Sequence, residues 1–178
     1  MATTTDYRGK MHTASGGTLD LRNPKPEQIR IEDIAHGLSH ICRWSGHCRH
    51  FYSVAEHSVE VARLVSIENV RYALLHDAPE AYLGDLSRPL KQLCPDYEAL
   101  EAKLWRVIAE KYGLPLEMPA EVKLADDRRL VTEARYLMPR PETMTLAPGV
   151  EPSAIIYRAL SPEVARATFL DWFDFSNL

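Results

Sequence analysis

Apolar residues recur at helical spacing through most of this chain, and that periodicity limits the possible folds more than any other feature. Ile34, Leu38 and Ile41 are separated by four and three positions, which predicts a first helix over about 32–44. The chain has 178 residues, of which 46% are apolar, enough for one sizeable core. We therefore expect a single helical domain spanning 1–178.

Helix boundaries can be predicted from capping residues. Ser53 and Glu56 form a capping-box pattern, in which Ser53 accepts from an early backbone N–H and Glu56 reaches back. A second helix should follow, ending near Val65. Gly113 has the position of a helix-ending glycine. Further helices are predicted at about 69–82, 96–112 and 119–137, with a last one opening at Ser161-Pro162.

Two segments do not have the helical pattern. Gly16 and Gly17 lie between short mixed segments near the start of the chain, which predicts a small β-hairpin. Four prolines fall within residues 138–152, which predicts a loop. The expected fold class is therefore all-α, a compact helical bundle with a short N-terminal β-hairpin.

Charge and composition exclude several functional classes. With 21 basic and 25 acidic residues, the formal charge is −4, which argues against broad nucleic-acid binding. No apolar run approaches the roughly 18–20 residues of a membrane span, and the first residues do not have the pattern of a signal peptide. The three cysteines are odd in number and lack CxxC spacing, so we expect a reduced, cytoplasmic protein.

Four polar residues in predicted helices could form a metal site: His57, His76, Asp77 and Asp126. Two imidazoles and two carboxylates suit one divalent metal ion, with Co, Mn, Zn, Ni, Fe or Mg as the candidates. An ion held in this way generates a hydroxide nucleophile near neutral pH and polarises a phosphoryl oxygen. The set therefore predicts metal-assisted hydrolysis.

Helical phase predicts that these side chains point inward. His57 follows the apolar Val54 by three positions, and Asp77 follows apolar residues by three, four and seven. Asp126 shares one stripe with Val122, Leu130, Glu133 and Leu137. Asp127 stacks on Lys123 and should face solvent. A buried carboxylate needs a partner, and a shared cation would supply it.

A second possible metal set consists of Cys42, His47, Cys48 and His50. The spacing of its cysteines is poor for a structural zinc site, and His47 and Cys48 are adjacent. We expect instead a loop over the site, with these histidines near phosphates or in solvent.

Three blocks of sequence resemble the HD-domain metal-dependent phosphohydrolases. They are Ser53-Val54-Ala55-Glu56-His57-Ser58, then Leu74-Leu75-His76-Asp77-Ala78-Pro79-Glu80-Ala81, then Val122-Lys123-Leu124-Ala125-Asp126. The similarity covers about residues 31–137 and is strongest to the small branch containing bacterial 5′-deoxynucleotidases and phage dATP triphosphohydrolases. It implies an HD-domain fold, one catalytic metal on the four residues above, and a homo-oligomer.

The resemblance also implies residues that bind substrate. Arg43 would contact a phosphate through its guanidinium fork, and Trp44 would pack near the sugar or base. The alternatives are a cation that stabilises a helix C-terminus and a core tryptophan. The following loop, 45–52, is shorter than in those enzymes and should border the base, so base preference does not carry over.

Further site residues follow from the same resemblance. Glu80 would orient or deprotonate the attacking water, or protonate the leaving oxygen. Asp85 would meet the sugar or the water, and Arg88 and Lys91 would hold further phosphates. Each of these four could instead be an ordinary surface charge.

The predicted function is hydrolysis of the 5′-phosphoester of a (deoxy)nucleotide, releasing nucleoside plus phosphate or triphosphate. The alternatives are a nucleotide-binding regulatory module without turnover and a structural helical domain without metal. The aromatic tail, with Phe169, Trp172, Phe173 and Phe175, could pack on this core or on another subunit.

Overall fold

The computed structural model describes residues 8–154 and 159–177, and these are mostly helical. The hairpin predicted near the N-terminus is present: β1 (Lys10–His12) pairs antiparallel with β2 (Thr18–Asp20). Its turn includes Gly16 with φ 81°, a conformation that glycine adopts at little cost.

The helices follow the hairpin in sequence. They are α1 (Ile31–His40), α2 (Val54–Ala62), α3 (Val70–Leu75), α4 (Glu80–Leu83), α5 (Arg88–Lys91), α6 (Pro95–Tyr112), α7 (Ala120–Leu137) and α8 (Pro162–Phe175). Short 3-10 turns lie at Pro26–Gln28, Trp44–Gly46, Ile67–Asn69 and Pro141–Thr143. The prediction of a helical protein with one small hairpin is confirmed. The short helix α5 was not predicted.

Several predicted helix ends are confirmed in detail. The Ser53 hydroxyl accepts from the backbone N–H of Glu56 at 3.1 Å, and Ser161 accepts from Val164 at 3.4 Å. Gly113 closes α6 with φ 65° in the left-handed region. These caps satisfy backbone groups that the helix itself leaves unpaired.

Two predicted helices end earlier than expected. The first ends at His40 rather than 44, because the next residues form an isolated bridge in which Cys42 pairs with Ser53. The second ends at Ala62 rather than Val65. The bridge places the residues after α1 beside the start of α2.

The predicted helix over 69–82 is interrupted, which is a further correction. Pro79 has no backbone N–H to donate to Leu75, and the chain tightens into bonds three residues apart, such as Ala78 to Leu75 at 2.9 Å. His76 and Asp77 therefore lie in the turn between α3 and α4 rather than inside a helix.

Helix α2 lies at the centre of the core, and all of its residues are buried. It contacts α1, α3, α7 and α8. Phe169 of α8 is fully buried in this core, and Trp172 and Phe173 pack against it, so this part of the aromatic tail packs on its own chain. Phe175 is 46% exposed. Among the described residues, no helix combines the length and apolarity needed to cross a membrane.

Candidate metal centre

His57 projects from the fully buried helix α2, and one ring nitrogen is held by a carboxylate. Its Nδ1 lies 2.7 Å from Oε1 of Glu133 on α7. An ionised carboxylate only accepts hydrogen bonds, so Nδ1–H donates to it. The other nitrogen, Nε2, faces Asp126, whose Oδ1 is 3.2 Å away.

His76 is oriented in the same way by the backbone. Its Nδ1 lies 2.7 Å from the carbonyl oxygen of Ala73, which can only accept, so Nδ1 is again the donor. Its Nε2 lies 3.2 Å from Oδ2 of Asp77 and 4.0 Å from Oδ1 of Asp126. Both imidazoles thus direct Nε2 to one place.

The two Nε2 atoms are buried, and neither makes a hydrogen bond of good geometry. Ligand atoms of His57, His76 and Asp126 all lie within 4.8 Å of one another, so these three residues could hold a metal ion. Metal-ligating histidines commonly fix one nitrogen through an outer carboxylate or carbonyl while the other binds, as Glu133 and Ala73 would do here. The residues therefore fit a metal, and its identity is open.

Asp77, the fourth predicted ligand, lies beside this group. Its Oδ2 is 3.7 Å from Nε2 of His57 as well as 3.2 Å from Nε2 of His76. Burial opposes ionisation, but His76, His57 and Arg43 outweigh it and hold the pKa of Asp77 well below its usual range. Its role as a ligand stays a prediction.

The electrostatics of the group favour bound cations. Burial disfavours the charged form of His76, but Asp77 and Asp126 outweigh it and raise its pKa to about 9. Burial likewise opposes ionisation of Asp126, but His57 and His76 lower its pKa to about 2. A metal ion bound between these residues would displace any proton from Nε2 of the two imidazoles.

Glu133 is a site residue to which the sequence analysis gave no role. Its two oxygens accept from two different groups, Oε1 from His57 and Oε2 from Nε of Arg43 at 2.9 Å. Burial opposes its ionisation, but Arg43 and His57 outweigh it and lower the pKa to about 2. The sequence pattern could have identified Glu133 as a buried acid, because it lies on the inward stripe seven residues after Asp126 and a buried acid needs partners.

Arg43 lies at the edge of this cluster, and Trp44 follows it in the chain. Arg43 Nη1 lies 3.7 Å from Oδ2 of Asp77, so the guanidinium reaches the metal-ligand group. Trp44 and Ser45 have φ of 59° and 51°, a left-handed conformation that costs energy in residues other than glycine. The indole Nε1 of Trp44 is buried without a hydrogen-bond partner. Backbone strain of this kind clusters at functional sites.

Glu80 is a buried carboxyl at the start of α4. Its residue is 6% exposed, and Oε2 has no hydrogen-bond partner. Burial, helped by Asp77 and Asp85, raises the pKa of Glu80 well above its ordinary value against the pull of Arg43 and Lys91. The raised pKa favours the protonated form of Glu80, which can donate a proton.

The other predicted substrate residues differ in their surroundings. Burial raises the pKa of Asp85, with Arg43 acting against it. Lys91 pairs with Glu101 at 2.7 Å and lies 4.0 Å from Oε1 of Glu80. Arg88 is exposed at the start of α5, and no ion pair links it to the cluster in the part of the chain that the structure describes.

The positions of the side chains distinguish Asp126 from Asp127, and the histidine group from the cysteine-containing loop, as candidate metal ligands. Asp127 pairs with Lys123, as predicted, but its side chain is only 19% exposed and does not face solvent freely. Asp126 joins the histidines. Within residues 8–154 and 159–177, His57, His76 and Asp126 are the histidine, cysteine or acidic side chains that gather closely enough for a metal. The cysteine and histidine side chains of the loop 42–50 do not form such a group.

Comparisons with known proteins add relatives. The chain is 53% identical over 111 residues to the uncharacterized protein YfdR of Escherichia coli (strain K12), and 43% identical over 121 residues to the uncharacterized protein RCAP_rcc00048 of Rhodobacter capsulatus. Each match covers 62% of this chain and 62% of the relative's own length. No family model matches the chain. Neither relative's name states an activity.

Proposed function

We propose that this protein is a metal-dependent phosphohydrolase of the HD-domain type that hydrolyses the 5′-phosphoester of a (deoxy)nucleotide. The products would be nucleoside plus phosphate, or nucleoside plus triphosphate. One observation carries the proposal. Two buried imidazoles direct unpaired Nε2 atoms toward Asp126, beside a largely buried arginine and a buried carboxyl whose pKa is raised.

His57, His76 and Asp126 would hold the metal, with Asp77 completing the set. When bound, a divalent ion would supply charge that stabilises the phosphoryl oxygens and lowers the pKa of the attacking water. Glu133 keeps the ring of His57 in the required orientation through its 2.7 Å hydrogen bond.

Arg43 binds the phosphate. Its Nε is committed to Glu133, and the N–H groups on the two terminal nitrogens supply further donors. Fixing one edge of the guanidinium orients the other edge before substrate arrives, which reduces the entropy lost on binding. The adjacent Trp44 offers an indole face for the sugar or base and a buried N–H that lacks a partner.

Glu80 gives its proton to the 5′-oxygen as the bond to phosphorus breaks. The raised pKa of this carboxyl favours the protonated form, and Lys91, at 4.0 Å, offsets the negative charge left behind. Asp85 would contact the sugar or orient the water. Arg88, exposed at the start of α5, and Lys91 could meet further phosphates of a longer substrate.

The remaining parts of the proposal follow the same resemblance. The protein would work in the cytoplasm as a homo-oligomer, on a small nucleotide rather than on nucleic acid. The negative formal charge of −4 agrees with the last point, because a polyanion needs a broad basic surface.

Product identification tests the proposal. The protein, loaded with manganese or cobalt, is incubated with a panel of nucleoside mono- and triphosphates, and released orthophosphate, pyrophosphate and triphosphate are separated. We expect release of orthophosphate or triphosphate, and none from the Asp77→Ala variant. If no nucleotide is cleaved, the hydrolase assignment is wrong; binding without cleavage would favour the regulatory module.

A further inference from the structure

Two thiols face each other across the loop that carries Arg43 and Trp44. The Sγ atoms of Cys42 and Cys48 lie 3.5 Å apart, and both side chains are half-buried and reduced. Cys94, the remaining cysteine, precedes α6 and lies outside this loop.

Both ends of this loop are anchored to the helices that carry the metal group. On one side, Arg43 N donates to Tyr52 O at 2.9 Å, next to the start of α2. On the other, Arg49 N donates to Leu137 O at 2.8 Å, at the end of α7. The anchors hold the two cysteines close together while Trp44 and Ser45, between them, keep strained backbone angles.

We infer that Cys42 and Cys48 form a reversible disulfide, a redox modification site that acts on the loop 43–47. The sulfurs must approach by only roughly 1.5 Å to reach the bond length of about 2 Å. Cytosolic disulfides, where they occur, are usually transient and sensing rather than structural.

The chemistry is thiol–disulfide exchange with a low-molecular-weight disulfide. The Cys42 thiolate attacks one sulfur of that disulfide, whose bond breaks and releases one thiolate. Cys48 then loses its proton and attacks the Cys42 sulfur, which releases the second thiolate. In total the two protein thiols are oxidised, the small disulfide is reduced, and their two protons pass to the released thiols.

The surroundings of Cys48 decide which of the two thiols reacts first. Burial and the neighbouring Cys42 thiol raise the pKa of Cys48 to about 11, so Cys48 is a poor first nucleophile. The single S–H of Cys48 donates to the carbonyl of His50 at 2.9 Å, and the carbonyl of Arg43 lies 3.7 Å from the same sulfur. Closing the disulfide removes these bonds and pulls on the backbone of Arg43 directly.

The consequence for turnover rests on the proposed function. If Arg43 binds phosphate, a displacement of about 1 Å can lower kcat/KM by up to about 100-fold. The metal ligands lie outside the loop, so metal binding should be unchanged. Adding dithiothreitol should restore turnover.

Trypsin mapping under non-reducing conditions tests the disulfide itself. Cleavage after Arg30, Arg43 and Arg49 places Cys42 in peptide 31–43 and Cys48 in peptide 44–49. After equilibration of the full protein with oxidised glutathione, the two peptides should run as one linked species and separate on reduction. The Cys94→Ser variant should behave the same way, and Cys48→Ser should give no link.

The outcomes separate this inference from the proposed function. Failure to link the peptides in oxidised glutathione, or a link to Cys94 instead, overturns the disulfide site. Linked peptides with an unchanged kcat/KM overturn its effect on the loop. Linked peptides from a protein that cleaves no nucleotide when reduced support the modification site and contradict the hydrolase proposal.

Discussion

Replacing Glu133 by glutamine should weaken metal binding and stability together. The carboxylate uses both oxygens as acceptors, at 2.7 Å from His57 Nδ1 and 2.9 Å from Arg43 Nε. An amide has one oxygen and one NH2 group, so in Glu133→Gln one of the two donors must face another donor. The variant retains the size of the side chain and removes its charge.

The expected losses of stability and of metal affinity follow from the hydrogen bond and the negative charge that the substitution removes. A hydrogen bond to a charged group contributes about 1.5–3 kcal/mol, and a buried charge left without its partner costs about 3–5 kcal/mol. We therefore expect the free energy of unfolding of the metal-free protein to fall by about 3 kcal/mol. Loss of the outer partner of a metal-ligating histidine should weaken metal affinity by about 10–100-fold.

Urea denaturation and calorimetric titration with Mn²⁺ measure the two effects. Asp127→Asn is the matched control, because Asp127 lies on the same helix and pairs with Lys123 rather than with the histidines. A folded Glu133→Gln protein with wild-type metal affinity would refute the positioning role. Glu133→Asp keeps the charge and should show smaller losses of both quantities.

Three further predictions concern other parts of the molecule. Metal must displace the proton from His76, whose pKa is about 9, so Mn²⁺ affinity should fall about tenfold per pH unit below that value. An affinity that stays constant between pH 6 and 9 would contradict the role of His76 as a metal ligand. Glu80→Gln should lower kcat by about 10²–10⁴-fold while calorimetry shows metal binding retained; an unchanged kcat would exclude proton donation. Gly37→Ala should lower the free energy of unfolding, measured by urea denaturation, by about 1–3 kcal/mol, because the new Cβ would lie 2.6 Å from the carbonyl oxygen of Ala81. A variant with wild-type stability would show that α1 and α4 separate easily.

Much of the fold could be predicted because local rules decided it. The caps at Ser53 and Ser161, the left-handed Gly113 and the turn at Gly16 each follow from a residue's own hydrogen-bonding or backbone preference. The interruption at Pro79 was also visible in sequence, but apolar periodicity continues through it and hides the break. The early end of α1 was not visible, because it depends on a bridge between Cys42 and Ser53, which lies eleven residues further along than Cys42.

The site residues likewise divide into those that local helix rules predict and those whose positions depend on the tertiary fold. Helical phase correctly placed His57 and Asp126 inward, since both lie in regular helices. His76 reaches the group from a turn, where helical phase does not apply, and only the fold fixes its Nδ1 on Ala73. The inward stripe of α7 indicates that Glu133 is a buried acid, but its partners, His57 and Arg43, come from helix α2 and from the loop after α1, and no spacing within α7 identifies them.

If Asp126 and the two histidines hold the metal ion at which nucleotides are hydrolysed, loss of Asp126 should abolish both metal binding and cleavage. The most direct test compares metal content and nucleotide cleavage in the wild-type, Asp126→Asn and Asp127→Asn proteins, each reloaded with the same Mn²⁺ solution. We predict one bound ion and cleavage for the wild-type and Asp127→Asn proteins, and loss of both for Asp126→Asn. Equal metal content and cleavage in all three, or a metal-loaded wild-type protein that cleaves no nucleotide, would contradict the assignment of a metal-dependent nucleotide hydrolase.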